Sequence, residues 1–476
     1  MFEWSADEIR RVGYRAIDLI ADHLVDLPEG LVFRPVPAEL ADALRAAPPP
    51  GTGTSADTIL DDVARDVMPY PLGNGHPRFA AWVNSPPAPI GIVAAALAAA
   101  MNPSVAGGNQ AAVYLEHAVI RWMAATLGCA SSAGGLLVSG TSSAAITALA
   151  VARYAACRQR GWDVRAVGVR GIPAHLLVYA TAEGHSCHQK AVELLGLGSA
   201  NLRAVPTDRA LRMRADALDG MLREDLAAGH VPVAVIASAG TVNTGAIDPL
   251  DAIADVCAAH QTWMHVDAAY GGPAVLLDET RAQLAAFARA DSLTVDAHKW
   301  LYVPVDAGIV LVRDPSMMRN AFSLVPPYLR TDGDAHGVHG PPWFSEYGME
   351  QTRPFRALKV WMTLRYFGIE GYRGLVAHDV AMARALADRV RAAPELELWE
   401  PQGLSIVCFR ARASDDVNRA ALADVQLAGG AFLAGTMLDD RFWFRACIVN
   451  PRTTEADVDE LVTLVRSAVT RSLHGE

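Results

Sequence analysis

The stretch Trp263-Met264-His265-Val266-Asp267-Ala268-Ala269-Tyr270-Gly271-Gly272 is a short apolar run that ends in a carboxylate and a small-residue turn. A second stretch, Leu293-Thr294-Val295-Asp296-Ala297-His298-Lys299-Trp300, repeats the pattern and ends in an amine. Both runs are too short for helices and read as buried strands. Outward from them, Leu136-Leu137-Val138, Leu176-Leu177-Val178-Tyr179, Val233-Ala234-Val235-Ile236 and Ile309-Val310-Leu311-Val312 have the same character. They alternate with helical segments from about residue 85 to 375. This order predicts an α/β architecture, a mainly parallel sheet covered by helices on both faces. Ligands of such sheets sit beyond the carboxyl ends of the strands, where Asp267 falls.

An isolated aspartate after an apolar run ordinarily caps a helix, and an isolated lysine is ordinarily a solvated charge. Lys299, however, follows a strand and is flanked by Ala297 and Trp300, so burial is expected to favour its neutral amine. Such an amine can condense with a cofactor aldehyde, and an aspartate at a buried strand end can keep a pyridine nitrogen protonated. Lys299 and Asp267 together therefore point to pyridoxal 5'-phosphate (PLP).

Gly134-Gly135-Leu136-Leu137-Val138-Ser139-Gly140-Thr141-Ser142-Ser143 reads as strand, small-residue turn and helix start. Backbone N–H groups and hydroxyls at such a start form a phosphate cradle. No Gly-x-x-x-x-Gly-Lys, Gly-x-Gly-x-x-Gly or Gly-x-Ser-x-Gly motif is present, which argues against nucleotide binding and a serine hydrolase. His185, after the strand ending near Tyr179, could place an imidazole over a cofactor ring. The pairs His185/His188 and His336/His339 lack a third ligand at a recognisable spacing, so no metal is expected. Downstream, Tyr328 stands at the base of a Gly- and His-containing segment that resembles a lid, and is a candidate proton donor.

The chain has 476 residues, 51% of them hydrophobic, enough for one large domain with smaller appendages. Its 52 acidic against 41 basic side chains, a formal charge of −11, argue against nucleic acid as a partner. Six cysteines without a Cys-x-x-Cys pair suggest reduced thiols and a cytoplasmic protein. The N-terminus lacks a signal-peptide pattern, and no apolar run near it is long enough to span a membrane. Residues 1–84 read as a helical arm, opened by a capping box at Ser5 to Glu8 and broken by Pro48-Pro49-Pro50-Gly51. Residues 85–375 form the large cofactor-binding domain. Residues 376–476 read as a small α+β domain, with strands at Ser405 to Phe409 and Phe442 to Arg445 and a last helix from Thr454 to Leu473.

These segments, in this order, resemble the group II PLP-dependent decarboxylases, the family of the aromatic-L-amino-acid, histidine and glutamate decarboxylases. The resemblance runs from Gly75-His76-Pro77-Arg78-Phe79 to the C-terminal domain. Its most specific signal is Asp-Ala-His-Lys-Trp at 296 to 300 combined with His-Val-Asp-Ala-Ala-Tyr at 265 to 270. It implies the PLP-dependent transferase type I (aminotransferase-like) fold with a seven-stranded sheet, and a homodimer with shared active sites to which the arm contributes. By resemblance, Lys299 carries the cofactor, Asp267 pairs with its ring nitrogen, and His185 stacks on the ring. Thr141, Ser142 and Ser143 hold its phosphate, with His298, Asp296 and Thr241 beside it. Tyr328 matches a tyrosine that protonates the substrate carbon once carbon dioxide has left. Relatives with Phe there tend toward aldehyde formation.

Trp82, Val83, Asn102, Ser104 and Thr352 match substrate-pocket positions, and Asp296 replaces an Asn found in many animal relatives. The implied reaction is decarboxylation of an L-amino acid, first an aromatic one, to its amine. The alternatives are a non-aromatic substrate (Glu, Asp, His or Val), an aldehyde-forming oxidative deaminase on the same scaffold, and a catalytically silent dimeric binding protein. Intact Lys299, Asp267, His185 and Tyr328 speak against the last.

Overall fold

A seven-stranded mixed sheet is built from β1 (Gly134–Val138), β2 (Leu176–Ala180), β3 (Leu202–Ala204), β4 (Val231–Ser238), β5 (Trp263–Asp267), β6 (Ser292–Asp296) and β7 (Gly308–Val312). The computed structural model describes residues 3–73, 75–324 and 340–474. The strand order is β1-β7-β6-β5-β4-β2-β3. β2, β3, β4, β5 and β6 run parallel to their neighbours in that group, and β7 lies antiparallel to β6 and β1. All six apolar runs form strands. The seventh, β3, carries only Leu-Arg-Ala and is partly exposed, too short to leave a pattern in sequence.

Every residue of β2, β4, β6 and β7 is buried, which is why these strands read as continuous apolar runs rather than alternating ones. Helix Thr141–Arg158 lies across this sheet with Ala144, Ala145, Ala148, Leu149 and Ala152 fully buried. Its small side chains let the helix axis come close to the strands. Leu149 and Ala152 join Val178, Val233 and Ile236 in one core cluster. Each large aliphatic side chain buried there contributes about 1.5–3 kcal/mol.

The chain divides into two units. Val83–Val380 with Glu400–Ile406 holds the seven-stranded sheet, and Met1–Trp82 groups with Ala381–Trp399 and Val407–Glu476. Within the second unit, a four-stranded sheet of β8 (Leu396–Leu398), β9 (Ile406–Ala411), β10 (Ala434–Leu438) and β11 (Arg441–Cys447) has the order β10-β11-β9-β8. Hydrogen bonds explain the grouping of the arm with the C-terminal segment. Ala80 N donates to Phe432 O at 2.8 Å, Cys447 N to Ala80 O at 2.8 Å, and Arg78 pairs with Asp457 at 3.1 Å. The first helix, Ala6–Asp26, starts as its capping signal predicts, with Ser5 Oγ accepting from Glu8 N at 3.2 Å. None of its residues is buried, and Ile9, Tyr14, Ile17 and Val25 are exposed. Among the described residues no helix is long and apolar enough to cross a membrane, and all six cysteines are free thiols.

Candidate active site

Strand register brings the site together. Ser238 pairs with Asp267 and Asp267 with Thr294, so the carboxyl ends of β4, β5 and β6 lie side by side. Asp296 and Val138 both pair with Gly308, which sets the turn after β1 beside the loop that carries Lys299. A Cβ on Gly308 would come within 2.4 Å of the Gly140 backbone, so only glycine permits this approach.

A cavity of about 370 Å³ opens at these strand ends. Lys299, Asp267, His185, Thr141, Ser142, Thr241, His298, Asp296 and Val83 of the expected site line it. Ser143 is not part of its wall; its hydroxyl bonds that of Ser139 at 2.8 Å, and Ser139 lines the cavity instead. Asn102, Ser104 and Thr352 are exposed and also lie outside the wall. Trp82 belongs to the other unit, where it packs against Phe79 and Phe432. Tyr328, His336 and His339 lie outside the described residues. A larger hollow of about 530 Å³, lined by Trp263, Arg289 and Arg313 among others, contains no lysine and sits toward the amino end of β5. That is the opposite end of the strand from the one where ligands of such sheets bind.

Burial alone would push the Lys299 amine toward neutrality, as expected from sequence, but the outcome is the reverse. The carboxylates of Asp296 and Asp267 more than offset desolvation and hold the amine above its ordinary value. Lys299 Nζ lies 3.0 Å from Asp296 Oδ2. Sequence spacing could not reveal this, because it depends on the turn after β6 folding back so that Lys299 N meets Asp296 O.

Asp267 is buried, and desolvation would raise its carboxyl. His188 Nε2, 2.9 Å from Oδ2, together with Lys299 and the Ala269 N–H on Oδ1 at 3.1 Å, wins and holds it well below the usual carboxylate range. His185 is exposed on the cavity rim, its Nδ1 accepting from Cys187 N at 3.1 Å. His298 is kept neutral chiefly by burial, and its Nδ1 accepts from Ala307 N at 3.1 Å. Thr241 Oγ1 accepts from Ala246 N at 3.1 Å and thereby pins the turn after β4.

Several residues went unremarked as site members in the sequence. Ser139, Glu183, Tyr270 and Val305 line the cavity, and His188 stands behind Asp267. Cys187, His188 and Asp267 have potential ligand atoms within 4.8 Å of one another, but His188 Nε2 is already committed to Asp267 by a hydrogen bond.

The residues fit PLP. The N-terminus of helix Thr141–Arg158 has no side-chain cap, and the buried Thr141 Oγ1 has no hydrogen-bond partner among the described residues. A buried hydroxyl without a partner is costly unless a ligand satisfies it. An uncapped start of an 18-residue helix offers N–H donors and a positive dipole end to a phosphate. On the same wall stand an amine for an aldehyde and a carboxylate for a ring nitrogen.

Comparison with known proteins agrees. The profile of the pyridoxal-dependent decarboxylase conserved domain matches residues 39–412. Aromatic-L-amino-acid decarboxylase of Bacillus atrophaeus is 33% identical over 473 residues, covering 97% of this chain and 96% of that protein. L-2,4-diaminobutyrate decarboxylase of Rhizobium meliloti is 33% identical over 467 residues, covering 96% and 90%. The crystal structure of Oryza sativa TDC with PLP and tryptamine superposes with a TM-score of 0.91 at 30% identity, covering 99% of each chain. The chain therefore belongs to the pyridoxal-dependent decarboxylase family and is a PLP-dependent amino-acid decarboxylase.

Proposed function

We propose that the enzyme decarboxylates an aromatic L-amino acid to its amine and carbon dioxide, as a homodimer. The observation that carries the reaction is the convergence of the Lys299 amine, the Asp267 carboxylate and an uncapped helix start on one cavity. Support for the aromatic class comes from full-length similarity to the Bacillus atrophaeus enzyme and to the rice structure that holds tryptamine.

When bound, PLP supplies a cationic heterocycle that can accept the electron pair of the breaking Cα–carboxylate bond. Lys299 holds the cofactor between turnovers, and Asp267 keeps a proton on the ring nitrogen. Thr141, Ser142 and the helix start bind the phosphate, with His298, Asp296 and Thr241 around it. His185 offers a flat face at the rim against which the ring is held. Burial of the substrate carboxylate against Val83 and the neighbouring wall disfavours its charge relative to neutral carbon dioxide. Tyr328 delivers the proton to Cα once carbon dioxide has left. Val93, Leu97 and Met101, exposed four residues apart on helix Pro89–Met101, are the apolar stripe that a second copy would cover.

A second reading is favoured by one residue. Glu183 places a carboxylate in the cavity wall, where the side-chain ammonium of a diamino acid would find a partner, and the Rhizobium meliloti relative acts on such a substrate by its name.

The test is mass-spectrometric product analysis of the PLP-loaded enzyme against the common amino acids, their hydroxylated aromatic forms and 2,4-diaminobutyrate. Tryptophan, tyrosine, phenylalanine or a hydroxylated form should give the fastest amine release. Fastest turnover of diaminobutyrate selects the second reading, and fastest turnover of glutamate, aspartate, histidine or valine rejects both. Lys299→Ala should abolish the visible absorption of the bound cofactor and lower kcat by about 10³-fold or more. Retained absorption and turnover in that variant would remove Lys299 from its role.

A further inference from the structure

His185 and His188 lie three residues apart and face different tasks. His185 sits on the rim of the cavity, whereas His188, in helix Cys187–Leu194, is only 2% exposed and stands behind Asp267. Its Nε2 is 2.9 Å from Asp267 Oδ2, across 79 residues of sequence, and its Nδ1 is 3.9 Å from Cys187 Sγ. The other Asp267 oxygen accepts from Ala269 N. One oxygen of the carboxylate is thus tied to the turn after β5 and the other to an imidazole, while the group still lines the cavity.

Among the described residues, four charged or titratable groups surround His188. Asp267 and Cys187 touch it, Lys299 acts on Asp267, and the His265 ring stands 6.4 Å away at 77°. Burial pushes the His265 imidazole down to about 3, so it stays neutral and does not compete for the carboxylate. Burial opposes ionisation of Cys187 as well, yet the neighbouring His185 and His188 bring its thiol down to about 7, which leaves it able to accept from His188 Nδ1–H. A buried carboxylate stripped of its donors takes up a proton in preference to standing as an uncompensated charge. A neutral Asp267 could no longer balance a protonated ring nitrogen.

We propose that His188 is a positioning residue for the decarboxylation: by donating from Nε2 to Oδ2 it holds Asp267 ionised and aimed at the ring nitrogen of PLP. This rests on the reading of Asp267 as the partner of that nitrogen. Cys187, at the far end of the chain of contacts, fixes the imidazole so that Nε2 faces the carboxylate. His185 lies just ahead of helix Cys187–Leu194, whereas His188 lies in its first turn. The partner, Asp267, arrives only through the sheet.

The experiment is a double-mutant cycle on the full-length enzyme, with His188→Leu, His188→Gln, Asp267→Ala and the His188/Asp267 doubles. PLP affinity of the cofactor-free proteins is read by spectroscopic titration, alongside kcat, KM and thermal melting. His188→Leu should weaken PLP binding and lower kcat by about 10-fold or more each, the size usual for partners that orient a cofactor-binding group, with KM within about twofold. His188→Gln keeps a donor without the charge and should lose less. In the Asp267→Ala background either His188 substitution should change PLP affinity and kcat by less than about twofold. Equal losses in both backgrounds, or wild-type affinity and kcat in His188→Leu, would overturn the proposal. Should melting show that His188→Leu does not fold, His188→Gln supplies the same cycle with the same criterion. Wild-type behaviour of Asp267→Ala itself would instead remove the reading of Asp267 on which the inference stands.

Discussion

Lys299 meets the cavity as a cation because two carboxylates outweigh its burial. Opposite charges about 4 Å apart attract by about 4 kcal/mol at an effective dielectric near 20, which is enough to offset a few units of desolvation penalty. Asp296 is thus more than a strand end: it sets the charge of the amine at 3.0 Å, and its other oxygen, buried and without a partner among the described residues, faces the helix start at Gly140. At this scale the reaction outcome is expected to hang on Tyr328. Tyr328→Phe should shift products from amine toward aldehyde, with dioxygen consumed and ammonia and hydrogen peroxide released in step. A variant that stays a pure amine producer at reduced rate would limit Tyr328 to rate alone. The hydroxyl of this residue was legible in sequence only through resemblance, whereas Lys299 and Asp267 were legible from their apolar settings. His188 was not, because beside His185 it reads in sequence only as half of a metal-ligand pair, and the carboxylate that gives it meaning lies on β5.

Among elements, helix Thr141–Arg158 is proposed to carry the phosphate end of the site. Thr141 Oγ1 has no hydrogen-bond partner among the described residues, so Thr141→Ala should leave the cofactor-free protein within about 0.5 kcal/mol of wild type. PLP affinity should fall about 10-fold, as for the loss of one hydrogen bond to a charged group, measured by cofactor titration. Unchanged affinity would move the phosphate away from this helix. The turn Gly75 to Phe79 offers a second test. His76 is fully buried, its Nδ1 accepts from Arg78 N at 3.0 Å, and burial lowers its imidazole to about 4. Its folded value lies below the unfolded one near 6.5, so the stability it contributes is intact above 6.5 and is lost as pH falls toward 4. The slope reaches up to about 1.4 kcal/mol per pH unit within that window. Urea midpoints of the cofactor-free protein should therefore fall between pH 7 and 5, and less steeply in His76→Gln. Parallel curves for the two proteins would mean that His76 charges freely in the folded state.

For the whole molecule, helix Pro89–Met101 exposes Val93, Leu97 and Met101 at 46%, 48% and 57%, and helix Ala6–Asp26 has no buried residue although its apolar positions recur at helical spacing. Neither surface is economical for an isolated chain. Sedimentation should give the mass of two chains, and Leu97→Glu should shift the protein toward one chain and reduce turnover with it. A wild-type protein that sediments as a single chain at full activity would reject the dimer.

By itself the sequence determined the α/β class, six of the seven strands of the large sheet and the place of Lys299, Asp267, Thr141 and Ser142 at strand ends, because buried parallel strands are continuous apolar runs and their carboxyl ends are where ligands bind. Only the tertiary structure decided which carboxylate pairs with Lys299, that Ser139 rather than Ser143 faces the cavity, that His188 backs Asp267, and that the arm joins the C-terminal segment in one unit. These are contacts between residues distant in sequence, or turns a single residue wide. They are fixed by strand register and backbone approach, quantities that local periodicity does not encode.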